Sequence, residues 1–192
     1  MTVRVTLISP AMSVALRDAR FDDGLPLDPA GFASLERAGR MSGRAYVSDS
    51  ARCRATAEGL GLDAEALPAL AGCAMGRWRG LRLDEVAAAD QAAVTSWLTD
   101  PGSAPHGGES LRDLRIRVGA WLDASADRDG EGGRLLCVVE PDVVRAALVH
   151  ALSAPDSAFW RLDVRPLTAT GLSGRAGRWN VQAGRPLVAP GG

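Results

Sequence analysis

Lysine is missing from this chain altogether: all 22 basic side chains among its 192 residues are arginine. Together with plentiful alanine and glycine, that bias is what a G+C-rich coding sequence produces, so the number of arginines carries no functional meaning by itself. Excess charge is missing too. The 23 Asp and Glu residues are interspersed among the arginines and leave a formal net charge of −1, which argues against a surface built for nucleic acid or another polyanion. Cysteine is scarce. Cys53, Cys73 and Cys137 are widely spaced and odd in number, which argues against a disulfide framework and a Cys-based metal site. A reducing cytoplasm is the expected location, with no metal and no cofactor. Long apolar runs are absent as well: the first one is interrupted by Pro10 and Arg17, and none approaches about 20 residues, so no membrane span or signal peptide is expected. No Gly/Ser/Pro-rich linker divides the chain, and its length suits a single domain over residues 1–192 with a sizeable core.

What is present centres on residues 134–148, where a continuous apolar segment, Leu135-Leu136-Cys137-Val138-Val139, runs through Glu140-Pro141-Asp142 into the helical pattern Val143-Val144-Arg145-Ala146-Ala147-Leu148. This reads as a strand covered by helices on both faces, a turn and a helix, and ligands in such sheets bind at the carboxyl ends of strands. Pro141 suits the first helical position and Asp142 can accept orphan N–H groups there, so a capped helix explains both. It does not explain Glu140, a carboxylate at the end of a buried strand, which must face a cleft or be paired.

Val3–Ile8 is a first strand, and Ser9-Pro10-Ala11-Met12-Ser13 at its carboxyl end forms a second candidate rim. The region 9–25 is read as loop, with a helix over 28–39 capped by Asp28 and begun by Pro29. A short strand at 45–47 leads through Ser48-Asp49-Ser50 into a helix over 51–61. Residues 67–79 are irregular, 83–98 reads as one helix and 110–126 as the clearest amphipathic helix. Strands over 164–172 and 178–182 flank Gly174-Arg175-Ala176-Gly177, a hairpin signal. The alternation of strands and helices points to an α/β class, a three-layer α/β/α sandwich around a mostly parallel sheet.

Four stretches carry a resemblance. Ser48-Asp49-Ser50-Ala51-Arg52-Cys53-Arg54-Ala55-Thr56-Ala57 looks like a Ser-Pro-Leu-x-Arg-Ala-x-x-Thr-Ala helix, and Met75-Gly76-Arg77-Trp78-Arg79-Gly80-Leu81 like a Phe-Gly-x-Trp-Glu-Gly-Leu segment. His106-Gly107-Gly108-Glu109-Ser110 sits where Pro-Gly-Gly-Glu-Ser opens a helix, and Phe159-Trp160-Arg161-Leu162 matches a recurrent late helix. In this order they resemble the histidine phosphatase superfamily, the phosphoglycerate-mutase-like fold. The resemblance lies in the framework rather than in the catalytic residues. It places Ser9-Pro10-Ala11 where the family carries the Arg-His-Gly turn that accepts phosphate, Glu140 where its second histidine follows a strand, Pro141-Asp142 in place of a Gly-Gly pair, and Gly72 at the proton donor. Of the usual phosphate pocket only Arg52 is clearly retained.

The family's reaction needs a neutral imidazole to attack phosphorus and cations to offset the charge on the phosphoryl oxygens. Proline cannot attack, Ser9 and Ser13 have no adjacent base to activate them, and Glu140 would repel a phosphate. Neither remaining histidine restores the mechanism: His150 sits in an apolar helical context typical of packing, and His106 lies in a loop expected to border the cleft. Trp78 is either core or ligand wall, and Glu109 either a cleft carboxylate or a helix-start contact. The candidates are thus Glu140 for acid/base chemistry, and Ser9, Pro10, Met12, Arg52, Trp78, His106, Glu109 and Asp142 for ligand binding. Two readings compete. One is a pseudo-phosphatase that binds a small molecule or a protein partner in the ancestral cleft. The other is a repurposed enzyme in which Glu140 with another carboxylate acts on a substrate that is not a phosphate ester, Arg52 anchoring a carboxylate or carbonyl. Residual phosphatase or mutase chemistry is the weakest reading, and oligomeric state is not legible.

Overall fold

The first strand, β1 (Val3–Ile8), sends Val3, Val5 and Leu7 into one apolar layer and Ile8 into another. Side chains alternate along a strand, so a sheet with both faces apolar must be covered on both. The computed structural model describes residues 2–22, 24–128 and 133–188, with the backbone alone for 126–128. The order is β1, α1 (Val14–Arg17), α2 (Pro29–Ala38), β2 (Arg44–Val47), α3 (Ala51–Gly59), β3 (Ala64–Ala66), α4 (Leu83–Ala89), α5 (Gln91–Thr99), α6 (Leu111–Arg128), β4 (Arg134–Val138), α7 (Pro141–Ala151), β5 (Thr168–Arg175) and β6 (Arg178–Pro186). Short 3-10 turns stand at Pro68–Leu70, Gly76–Trp78 and Asp156–Arg161.

Six strands form one sheet in the order β3-β2-β4-β1-β5-β6. The pairs β1–β4, β2–β4 and β2–β3 are parallel, whereas β5 runs antiparallel to both β1 and β6. The sheet is thus mostly parallel as expected, and is mixed only through β5 in a closing hairpin whose turn places Gly177 at φ 71°, a left-handed conformation that glycine adopts without steric cost. Helices α6 and α7 cover the layer holding Leu114, Val118, Leu122 and Val144, and α2 and α3 cover the opposite layer with Leu35, Cys53 and Ala57. A third apolar group, Trp78, Val86, Ala93, Val94 and Trp97, packs around α4 and α5.

Several element boundaries differ from those expected. The helix expected over 83–98 is two helices, because Asp90 leaves the helical region at φ −153° and its side chain caps α5 by accepting the Ala93 N–H at 2.9 Å. The helix expected over 51–61 stops at Gly59, since Gly61 adopts φ 74°. The loop expected over 9–25 contains α1, capped by Ser13, whose Oγ accepts the Leu16 N–H. The strand expected from 164 starts only at Thr168, and the irregular stretch 67–79 holds two 3-10 turns. No helix among the described residues is long and apolar enough to cross a membrane.

Three elements are tied at the end of the sheet remote from the β4–α7 turn. Asp123 on α6 lies 3.0 Å from His150 Nε2 on α7 and accepts the Trp179 indole N–H of β6 at 2.9 Å. Gly119, one helical turn before Asp123, makes room for the imidazole: a Cβ there would lie 2.3 Å from His150 Nδ1. Gly119→Ala is expected to displace the ring, break its bond to Asp123 and cost about 1–3 kcal/mol in urea unfolding. His150→Ala in the same chain should make the added methyl nearly neutral.

Candidate functional site

Strands β1, β2 and β4 run parallel and end on one side of the sheet, the position at which open α/β sheets bind ligands. A cavity of about 550 Å³ opens there, within the range of small-molecule sites. Glu140, the residue after Val139, enters it from the N-cap of α7, where its carbonyl accepts the Val144 N–H and Pro141 takes the first helical position. Arg52 enters from the first turn of α3, which Ser50 caps by accepting the Cys53 N–H.

The two side chains meet as a buried ion pair. Arg52 Nε lies 2.9 Å from both Glu140 oxygens and Nη2 lies 2.5 Å from Oε2. Ser50 Oγ donates to Oε1 at 2.5 Å, and the Cys53 thiol lies 3.5 Å from the same oxygen. Glu140 is 5% exposed and Arg52 8%. Burial alone would lower the arginine pKa; the charge and hydrogen bonds of Glu140 raise it above its ordinary value. Gly72 leaves space for the carboxylate, since a Cβ there would lie 3.0 Å from Glu140 Cγ. Arg52 Nη1 is buried and has no hydrogen-bond partner.

Asp142 adds a second carboxylate to the cavity. Its oxygens accept the N–H groups of Cys73 and Val143, each at 2.7 Å. Although partly accessible, it is desolvated enough that burial, reinforced by the charge of Glu140, raises its pKa to about 6. Burial likewise pushes the Cys73 thiol well up, so it is no thiolate nucleophile at neutral pH. Among the described residues no group of three or more His, Cys, Asp or Glu side chains could hold a metal ion.

Of the residues singled out from the sequence, Arg52, Glu140 and Asp142 converge on this cavity, and the others lie outside its lining. Ser9 Oγ donates to the Arg165 carbonyl at 2.5 Å and accepts the Thr168 N–H at 3.1 Å, which pins the turn after β1 to β5. Pro10 is buried beside it, its carbonyl accepting the Leu167 N–H. The Met12 carbonyl packs on Gly31, where a Cβ would clash with it. Trp78 is 3% exposed in the core around α4 and α5, and the His106 ring packs on it at a tilt, with centroids 5.1 Å apart. Burial and the charge of Arg77 lower the His106 pKa, and its Nδ1 accepts the Gly108 N–H. Glu109 forms a two-point ion pair with Arg117, whose Nη1 also donates to the carbonyls of Pro68, Ala69 and Ala71. Sequence reasoning missed Arg20, Phe21, Trp97, Arg145, Phe159 and Trp160 as cavity lining. Only the Phe159-Trp160 motif offered a signal; the rest come from two separate helices and a loop that tertiary packing brings together.

The model of the histidine phosphatase superfamily (branch 1) matches residues 17–185. The chain belongs to that superfamily. No match is found among curated proteins. The histidine-phosphatase fold recurs in solved structures that include the protein described as mycobacterial hydrolase 1, with 22% identity, a TM-score of 0.80 and coverage of 97% of this chain and 99% of the other. Mycobacterial glucosyl-3-phosphoglycerate phosphatase in complex with VO3 shares 22% identity at a TM-score of 0.80, over 96% and 99% of the two chains. A phosphoserine phosphatase variant from Entamoeba histolytica in complex with phosphoserine shares 13% at a TM-score of 0.83, over 96% and 98%. At these identities the likeness is one of fold.

The raised pKa of Asp142 sets a pH dependence with a definite sign. A carboxyl whose pKa is higher in the folded than in the unfolded chain contributes stability below its ordinary pKa and loses it as pH rises through the folded value. For Asp142 the window runs from about pH 4 to about pH 6. Asp142→Asn cannot ionise, so its stability relative to wild type should improve with pH across that window, by roughly 2 kcal/mol in urea unfolding. A difference that does not vary with pH would show that Asp142 titrates normally.

Proposed function

We propose that this member of the histidine phosphatase superfamily does not run the phosphohistidine reaction and instead binds a small molecule in the family's cleft. One observation carries the reading: the guanidinium of Arg52 is already taken by Glu140, in two-point contact and with both groups buried. In this reading Glu140 stands where the family's second histidine would be, and its carboxylate occupies the position of a phosphoryl group against Arg52 and Ser50. A phosphate monoester entering there would meet a like charge and a cation already neutralised. The nucleophile position falls on Pro10, which cannot attack. His106 and His150 are the only histidines, and both are engaged elsewhere, on Trp78 and Asp123. The dimensions of the cavity favour a small molecule over a protein partner as its occupant.

A second reading rests on Asp142. A cavity carboxyl with its pKa raised to about 6 is suited to proton transfer near neutral pH, and Glu140 beside it helps to hold it there. A repurposed enzyme would use this pair on a substrate that is not a phosphate ester. Once a turnover is in hand, Glu140→Gln should abolish most of it and leave binding intact.

The proposal is tested with p-nitrophenyl phosphate and by thermal unfolding in orthophosphate or vanadate. Wild type should show no hydrolysis and no stabilisation. Glu140→Ala should lose about 3–5 kcal/mol, the cost of leaving a buried charge unpaired, and should regain part of it in orthophosphate, which can now reach Arg52. Phosphate at ten times its Kd stabilises by roughly 1.4 kcal/mol. Hydrolysis by wild type, or wild-type stabilisation by vanadate that disappears in Arg52→Ala, would overturn the reading.

A further inference from the structure

The cavity has a polar end and an aromatic side. Trp97 and Trp160 meet edge to face at 4.5 Å, Phe159 stands 5.2 Å from Trp160, and all three line the cavity with Phe21. Such a wall accepts a flat apolar body.

The hydrogen-bonding deficit of the lining has one sign. Arg52 Nη1, Trp97 Nε1 and Trp160 Nε1 are buried donors without acceptors, and no buried side-chain oxygen among the described residues lacks a partner. Each of these nitrogens is fully enclosed by protein, as are the unpartnered His106 Nε2 and Arg115 Nε outside the lining, so the occupant is selected by what the cavity does present, its aromatic wall and its charges.

Charge narrows the class further. Arg20, Arg52, Arg79 and Arg145 line the cavity, against Asp22, Asp49, Glu140 and Asp142. Glu140 neutralises Arg52, and Asp22 lies 3.3 Å from Arg79. Arg20 Nη1 donates to the Gly80 carbonyl at 2.6 Å and forms no ion pair with a carboxylate among the described residues. Arg145 is the one of the four that stands over a ring of the aromatic wall. Its Nε donates to the Leu162 carbonyl at 2.8 Å and its guanidinium lies 5.7 Å from the centre of the Phe159 ring. No carboxylate among the described residues forms an ion pair with it. Burial lowers its pKa, only partly offset by the charges of Asp142 and Asp163. A desolvated guanidinium with free Nη groups beside an aromatic wall is a site for one carboxylate. A dianion is disfavoured, because Asp142 and Glu140 line the same space.

We infer that the cavity binds an aromatic monocarboxylate, its anionic head on Arg145 and its ring against Trp97, Phe159 and Trp160. The inference rests on the reading of a ligand-binding cleft given above, and specifies what that cleft selects.

The test uses the full chain and three probes with one ring: phenylacetate, its neutral analogue 2-phenylethanol and the dianion phenyl phosphate. Tryptophan emission and melting temperature report binding. Phenylacetate should shift both, with 2-phenylethanol at least ten times weaker and phenyl phosphate weaker still. Arg145→Met should weaken phenylacetate at least tenfold, Arg145→Lys should recover part of the loss, and Trp160→Ala, which removes a ring of the wall, should weaken it several-fold. Equal binding of the acid and the alcohol by wild type would remove the anion site and overturn the inference, as would the absence of any phenylacetate binding. Tighter binding of phenyl phosphate without turnover would also overturn it and leave the non-catalytic reading standing. Hydrolysis of phenyl phosphate would instead overturn that reading itself.

Discussion

Everything in the cleft depends on the ion pair between Arg52 and Glu140. Arg52 comes from the first turn of α3 after β2 and Glu140 from the N-cap of α7 after β4, and the two strands are neighbours in the sheet. The pair therefore clamps two helix starts across adjacent strand ends. A buried ion pair adds little stability against an apolar replacement, yet losing one partner is expensive because the other charge stays buried. Such a pair constrains what the site can do more than it strengthens the fold.

The constraint propagates through the neighbouring residues. Gly72 keeps the wall thin where the Glu140 side chain passes, and Ser50 serves at once as the cap of α3 and a donor to the carboxylate. With Glu140 ionised and bonded, a second carboxylate two residues on is harder to ionise, which is one reason the Asp142 pKa lies near 6. The polar end is thus internally satisfied except at Arg52 Nη1, and Arg145, without a carboxylate partner among the described residues, lies on the aromatic side with Phe159 and Trp160.

The residues Glu140 and Asp142 were legible because a carboxylate at the end of a continuous apolar strand has few physical explanations, and Arg52 because a framework motif carries it. Ser9, Met12, Trp78, His106 and Glu109 were also candidates from the chain alone. Ser9 is instead bonded to β5, which lies about 160 residues later in sequence yet next to β1 in space. Glu109 is held by Arg117 on the following helix turns, and Trp78 and His106 face each other in a core around α4 and α5. Proximity of this kind depends on strand order and helix packing, and no local pattern encodes it. The split of the expected helix at Asp90 is the opposite case: an Asp cap was present in the sequence, but apolar periodicity on both sides concealed it.

By itself, then, the sequence determined the class of fold, the strand-turn-helix that carries Glu140, and the absence of lysine, of a cysteine framework and of a long apolar span. These follow from local rules: side-chain periodicity, the fixed φ of proline and the chemistry of helix caps. Only the tertiary structure decided that Glu140 and Arg52 neutralise each other, that β5 runs antiparallel beside β1, and that Arg145 reaches the cavity without a carboxylate of its own. The physical reason is that charge pairing and desolvation act over a few ångströms in space between residues far apart in the chain, and those distances exist only once the sheet has been assembled.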